Sequence, residues 1–285
     1  MSTWTTLSVL DWTSKRFTEA GIGGARLEAQ LLLAQVLQCT RIQLYTAFDK
    51  PLGEVELAAY RALIKRRLAG EPVAYLLGDH EFWGLPLYVD ASVLIPRPDT
   101  ETVIEVAKAL LPELARPRRV LDLCTGSGAI ALALAKELPE ATVIATDLSP
   151  EAVAIARRNA ERNGLAGRVE IRQGDLFAPV AGEQFDLIAS NPPYIESALI
   201  PTLSAEVRRE PVLALDGGAD GLVFYDRITA AVLAYLAPGG VLVVEHGYDQ
   251  AEPVAARFRA AGLEDVALVH DLGKNPRVTS GRRPR

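Results

Sequence analysis

Cysteine and histidine are scarce in this chain, with two of the former and three of the latter among 285 residues. Cys39, Cys124, His80, His246 and His270 show no ligand-like spacing, which argues against a zinc site and against a structural disulfide. Long apolar runs are also missing, because Gly, Pro or charge interrupts each one well short of a membrane span. The start, Met1-Ser2-Thr3-Trp4-Thr5-Thr6, lacks a basic segment followed by an apolar one, so no secretory signal is read and the expected location is cytoplasmic. No internal repeat or low-complexity tract is found. Nor is there an excess of positive charge. The net charge of −6 argues against a nonspecific grip on nucleic acid, and no direct nucleic-acid or membrane partner is expected. The two basic clusters, Arg61-Lys65-Arg66-Arg67 and Arg282-Arg283-Arg285, read as solvated faces. What remains is a chain that is 49% hydrophobic and long enough for one large and one small domain.

Chemistry enters with Val120-Leu121-Asp122-Leu123-Cys124-Thr125-Gly126-Ser127-Gly128-Ala129-Ile130. An apolar strand passes into a glycine-containing turn and then an alanine- and leucine-rich helix, the strand-loop-helix start of a nucleotide-binding α/β unit. Nineteen residues beyond Gly128, the run Ala141 to Thr146 ends in Asp147, placed to accept hydrogen bonds from both ribose hydroxyls. That spacing suits an adenosine ligand of either main kind, dinucleotide or S-adenosylmethionine. Asp122 separates them, since a carboxylate at the loop mouth would repel a pyrophosphate and attract an ammonium, which favours the methyl donor. The bland alternative is that Asp122 caps the turn. Cys124 has no neighbouring base and reads as a small packing residue beside the ligand.

A third strand-like run, Arg168 to Arg172, leads to Gly174-Asp175-Leu176-Phe177. Asp175 is placed to accept from an adenine amino group while Leu176 lies against the base. A fourth, Phe185-Asp186-Leu187-Ile188-Ala189-Ser190, ends in Asn191-Pro192-Pro193-Tyr194. Proline fixes φ and removes the amide proton, leaving a stiff turn whose carbonyls point outward. The best-fitting guest is an amino group on a planar system, held by the Asn191 side-chain oxygen and the Pro192 carbonyl, with Tyr194 offering a ring face.

The chain divides near residue 80. Helical periodicity in Leu7-Leu10-Trp12, Ala25 to Leu37 and Val55 to Leu68 predicts a small helical bundle over 1–80. A β-hairpin linker follows over 81–95, from Glu81-Phe82-Trp83, and the catalytic domain spans 96–285. Asp99 or Thr100 is read as the cap of the helix after Ile95-Pro96-Arg97-Pro98. The irregular stretch 195–220 suggests a lid or partner-facing segment. A helix from Gly221 to Leu236 and a strand from Gly240 to Glu245 come next. The final strand, Pro276 to Arg282, is expected to pair antiparallel at the sheet edge.

Asp122 to Gly128, Ile95 to Glu101 and Asn191 to Tyr194 together resemble the protein-(glutamine-N5) methyltransferases, specifically the branch that modifies bacterial peptide chain release factors. The likeness extends through the helical N-terminal part, Glu81-Phe82-Trp83, Glu245-His246-Gly247 and Asp271 to Thr279. It implies an α/β fold, with a Rossmann-like S-adenosylmethionine-dependent sheet joined by a β-hairpin to a helical bundle, and the bundle, whose own sequence carries no chemistry, is expected to recognise the substrate. The implied reaction methylates the glutamine of the Gly-Gly-Gln motif in class-one release factors. By resemblance Cys124 to Gly128, Asp147, Leu176 and Asn191 line the cofactor site, and Asn191, Pro192, Pro193 and Tyr194 hold the glutamine. Cys124 departs from the glycine that many relatives carry there. Asn-Pro-Pro-Tyr also occurs in methyltransferases of DNA base amines. The remaining alternatives are a ribosomal-protein glutamine methyltransferase, a nicotinamide-dependent dehydrogenase and a nucleotide-sensing module.

Overall fold

A computed structural model describes residues 4–111 and 118–285. The chain forms two compact units, one comprising residues through Gly78 together with Ala205–Arg209, the other Asp79–Ser204 with Glu210–Arg285.

The first unit is helical. Its elements are α1 (Thr6–Glu19), α2 (Ala25–Leu37), α3 (Arg41–Thr46), α4 (Glu54–Leu68) and α5 (Val73–Leu77). The periodicity anticipated α1, α2 and α4, whereas α3 and α5 are too short to show a repeating apolar face. Local chemistry sets the helix starts. Thr5 and Thr40 each accept from the amide three residues on, while the Ser8 and Gln43 side chains accept from the capping residue's own amide. The core packs Phe17, Leu32, Leu33, Leu44, Tyr60 and Ile64, and the Tyr60 hydroxyl is satisfied by donating to the Ala29 carbonyl at 2.9 Å.

Arg67 departs from expectation. Its neighbours in the basic run are exposed, but its own side chain is only 2% exposed. Glu28 lies 2.6 Å away and Glu206, from the five-residue segment that joins this unit, is a second partner. A guanidinium is buried here because two carboxylates meet it, and Arg presents donors enough for both.

The second unit opens with a hairpin, β1 (His80–Phe82) and β2 (Leu85–Leu87). It continues through α6 (Glu101–Leu110), β3 (Arg119–Leu123), α7 (Ala129–Glu137), β4 (Thr142–Asp147), α8 (Pro150–Arg162), β5 (Val169–Gln173), β6 (Phe185–Ser190), α9 (Val223–Tyr235), β7 (Leu236–Glu245), α10 (Ala251–Ala260), β8 (Glu264–His270) and β9 (Pro276–Arg282). Among the described residues seven strands make one sheet in the order β5-β4-β3-β6-β7-β9-β8. All pairings from β5 to β7 are parallel, and β9 runs against both of its neighbours. The last strand is therefore not at the edge, as its sequence suggested. It inserts between β7 and β8, which its buried stretch Val278 to Gly281 permits, whereas β8 is exposed at five of its seven positions, as suits an edge strand.

Alternate strand residues feed two apolar layers. Val120, Val143, Leu187 and Val241 face one core, with α7, while Leu121, Ile144, Ile188 and Leu242 face the other, with α9 and α10. Strands covered on both sides need continuous apolar sequence, which explains why β6 is buried at all six positions. Asn159, fully buried on α8, ties the hairpin to the glycine loop. Its amide oxygen accepts from the Tyr88 amide at 2.6 Å and its nitrogen donates to the Ser127 carbonyl at 2.8 Å.

Replacing Arg67 with Ala leaves Glu28 facing a cavity without its partner. The expected cost is about 3 kcal/mol of unfolding free energy, measured by urea denaturation. A loss below about 0.5 kcal/mol would place this pair among the weak surface contacts.

Candidate active site

The sheet reverses its winding between β3 and β6, and in open α/β sheets ligands bind outside the strand ends at that point. Register makes the site. Leu123 pairs with Thr146 on one side and Ser190 on the other, and Ser190 pairs with Val244. The next residues, Asp147, Cys124, Asn191 and Glu245, therefore form one row across four neighbouring strand ends. Two cross-links hold the row, with the Thr125 amide donating to the Thr146 carbonyl at 3.1 Å and the Ser190 hydroxyl to the Leu123 carbonyl at 2.8 Å.

In front of the row lies a cavity of about 120 Å³, open to solvent. Cys124, Thr125, Gly126, Ser127, Asp147, Asp175, Leu176, Asn191 and Pro193 line it. Asp122, Gly128, Pro192 and Tyr194 stand behind this surface. Sequence reasoning did not anticipate Leu148, Phe224 or the Pro211-to-Ala214 wall, which comes from the irregular stretch after Tyr194. The glycines have separate tasks. Gly126 has φ +54°, with open space where a Cβ would sit, while a Cβ at Gly128 would press on Ala156 at 3.3 Å. Cys124 adopts φ +57° despite its side chain, a conformation that favours glycine and costs of order 1 kcal/mol.

Asp147 accepts from the Gly126 amide at 2.8 Å and the Ser149 amide at 2.9 Å. Burial raises its pKa against these hydrogen bonds, and a carboxylate retains further lone pairs for a ligand. Asp122 is not at the loop mouth. It is fully buried beneath the loop, where its Oδ2 accepts from the Thr125 hydroxyl at 2.5 Å and the Ala131 amide at 3.1 Å. Burial pushes it up to about 7. Asp175 holds Arg227 at 2.6 Å in a half-exposed ion pair. Burial also raises the Cys124 thiol well above its ordinary range, which makes it a poor nucleophile.

The Asn-Pro-Pro-Tyr turn is braced from behind. A Cβ at Gly221 would fall 2.4 Å from the Tyr194 carbonyl oxygen, and one at Gly217 would fall 2.7 Å from the Tyr194 Cα. Gln250 donates to the same carbonyl at 2.9 Å. Thr100 is not the helix cap expected of it: its backbone is already helical and its side chain caps nothing. Asp99 caps nothing either, and pairs with Arg277 at 3.2 Å. The Thr100 hydroxyl instead receives the Asn191 side-chain nitrogen at 3.2 Å. Beside it Glu245 is buried, and desolvation pushes its carboxyl up to about 7 although the neighbouring Thr100 and Asn191 side chains and the charge of Arg277 favour the charged form. Asp122 Oδ1 and Glu245 Oε2 are buried without hydrogen-bond partners among the described residues. The available signal for Glu245 was a carboxylate closing a buried strand, as at Asp147.

Comparison with known proteins fits this geometry. The family described as "Methyltransferase small domain" matches residues 101–207, and "PrmC N-terminal domain" matches residues 8–78. A crystal structure of a methyltransferase from Pyrococcus furiosus superposes with a TM-score of 0.52 over 71% of this chain and 90% of its own, at 22% identity, a likeness of fold. The matched family, with the fold, defines an α/β methyltransferase. Among the curated relatives, a release factor glutamine methyltransferase of Geobacter sulfurreducens is 49% identical, covering 98% of this chain and 97% of its own. One of Xylella fastidiosa is 47% identical over 91% and 94%. The chain belongs to the release factor glutamine methyltransferase family.

The raised pKa of Glu245 has a stability consequence with a defined sign. A carboxyl at about 7 when folded and 4.5 in its ordinary state contributes stability that is fully present below pH 4.5 and is lost as pH rises through 7. Glu245→Gln removes that dependence. Relative to the parent, its unfolding free energy should rise by about 2–3 kcal/mol between pH 5 and pH 8, read from urea curves at both values. An offset independent of pH would show that Glu245 titrates normally.

Proposed function

We propose that this protein transfers a methyl group from S-adenosylmethionine to the side-chain amide nitrogen of the glutamine in the Gly-Gly-Gln motif of class-one peptide chain release factors. The observation that carries the reading is the placement of Asn191 at the β6 end, beside the glycine loop, with its nitrogen committed to Thr100. Its oxygen is thereby left as an acceptor for an incoming amino group.

The residues present fit the cofactor. Asp147 takes the ribose hydroxyls on its remaining lone pairs, and Leu176 with Asp175 takes the adenine. The loop from Cys124 through Gly128 lies along the methionine end. The unpartnered Asp122 Oδ1, beneath the loop, is an unmet acceptor whose charge would favour an ammonium at the methionine end. When bound, S-adenosylmethionine supplies an electrophilic methyl carbon on a cationic sulfur.

An amide nitrogen is a poor nucleophile because its lone pair is shared with the carbonyl. Asn191 Oδ1 and the Pro192 carbonyl accept both amide protons and favour a nitrogen whose lone pair turns toward the methyl carbon. Pro193 and Tyr194 keep the turn rigid, so orientation contributes much of the acceleration, up to roughly 7–11 kcal/mol in favourable cases. No dedicated base is needed if the proton leaves to solvent after the methyl carbon has been transferred from sulfur to nitrogen. Recognition of the protein substrate is assigned to the helical N-terminal region, residues 1–80. That assignment is supported by its match to a family-specific N-terminal domain.

Incubation with purified release factor and labelled S-adenosylmethionine, followed by peptide mapping, should place the label on the Gly-Gly-Gln glutamine. Asn191→Ala should slow turnover on the order of 100- to 1,000-fold while cofactor affinity, by calorimetry, falls much less. Near-normal turnover would remove Asn191 from the mechanism.

A further inference from the structure

We propose that Glu245 and Thr100 are positioning residues that fix which way the Asn191 amide faces, turning its oxygen and not its nitrogen toward the substrate. The inference rests on the reading of Asn191 as the acceptor of the substrate amide.

The two ends of an asparagine amide are nearly the same in shape and opposite in hydrogen bonding. Flipped, Asn191 would present a donor to the two donors of the substrate nitrogen, and the pocket would reject the group it is built to hold. Something must therefore distinguish the two orientations. Thr100, buried and 3.2 Å from Asn191 Nδ2, cannot do so alone, because a hydroxyl donates as readily as it accepts. An ionised carboxylate only accepts. Glu245 sits beside Asn191 through the pairing of Ser190 with Val244, buried with an Oε2 that has no hydrogen-bond partner among the described residues, and Thr100 and Asn191 both favour its charged form. Once the Thr100 proton is drawn to Glu245, the hydroxyl oxygen has only lone pairs to offer Asn191. Its nitrogen must then face inward and its oxygen outward.

The polarity thus runs in one direction, from an acceptor-only group through a hydroxyl to an amide. Its surroundings hold the carboxylate without consuming it. Arg277, on β9, supplies positive charge while paired with Asp271 at 3.1 Å and Asp99 at 3.2 Å. The Tyr225 hydroxyl, on α9, donates to the Glu245 backbone carbonyl at 2.8 Å and leaves the carboxyl alone. Tyr194 is a further titratable side chain under the influence of Glu245, and the Asp99 carboxylate opposes the charged form of Glu245.

The test compares variants for turnover on purified release factor, with S-adenosylmethionine binding by calorimetry as the control for folding. Thr100→Val should lower kcat on the order of 10- to 100-fold with cofactor affinity within about twofold, and Thr100→Ser should restore most of it. Glu245→Gln, whose own amide can flip, should lower kcat on the order of tenfold. In the parent, kcat should fall as pH drops through the range where Glu245 gains a proton and becomes a donor too, and Glu245→Gln should lack that limb. In an Asn191→Ala background, where there is no amide to orient, Thr100→Val should have no further effect on kcat. A further loss of the same size there would make Thr100 merely structural and overturn the proposal. Unchanged kcat in Thr100→Val, with Asn191→Ala slow, would overturn it while leaving the functional reading intact. Near-normal turnover in Asn191→Ala would overturn both.

Discussion

Everything at this site depends on strand register. Four parallel strands stop level with one another, so the first residues past Leu123, Thr146, Ser190 and Val244 stand side by side. A slip of one residue would turn every side chain of the displaced strand to the opposite face. It would drive the alternating apolar sets of the two cores into the wrong layers. The chemistry is therefore guarded by the same burial that stabilises the sheet. Asn191 and Asp147 need no separate device to set their height, because the packing of Leu187, Ile188, Val143 and Ile144 has already done so.

The row concentrates acidic groups at the buried end of the sheet. Asp122 and Glu245 are both desolvated, both raised to about 7, and each keeps one oxygen without a partner among the described residues. Such groups weaken a fold, and stability alone would replace them with apolar residues. Their presence beneath the glycine loop and beside Asn191 is the cost of keeping acceptor-only groups close to the reacting centre.

Much of this architecture was legible because parallel strands buried on both faces have an unmistakable apolar sequence, and β6 matches its sequence-derived span of Phe185 to Ser190. The glycine loop, Asp147 and the Asn-Pro-Pro-Tyr turn were legible because each interrupts such a run with residues that suit only a strand end. Three features were not. The place of β9 inside the sheet depends on pairing with β7, which no local pattern encodes. The burial of Arg67 depends on Glu206, distant in sequence. Thr100 carries an ordinary capping signature, and only the fold reveals that its hydroxyl is spent on Asn191 instead. Asp122 is the instructive case: its type and spacing were visible in the sequence, but its depth beneath the loop, where it accepts from the Ala131 amide of α7, was not.

The grouping of Ala205–Arg209 with the helical unit bears on inheritance. The polypeptide crosses between the two units three times, after Gly78, after Ser204 and after Arg209, so no single break in the gene excises one of them cleanly. A recombination that exchanged only the leading segment would strand Glu206 without its arginine and Arg67 with one carboxylate where it had two. Shuffling of the helical unit among methyltransferase sheets is thus penalised unless the distant loop travels with it, and the two parts are bound to diverge as one heritable block.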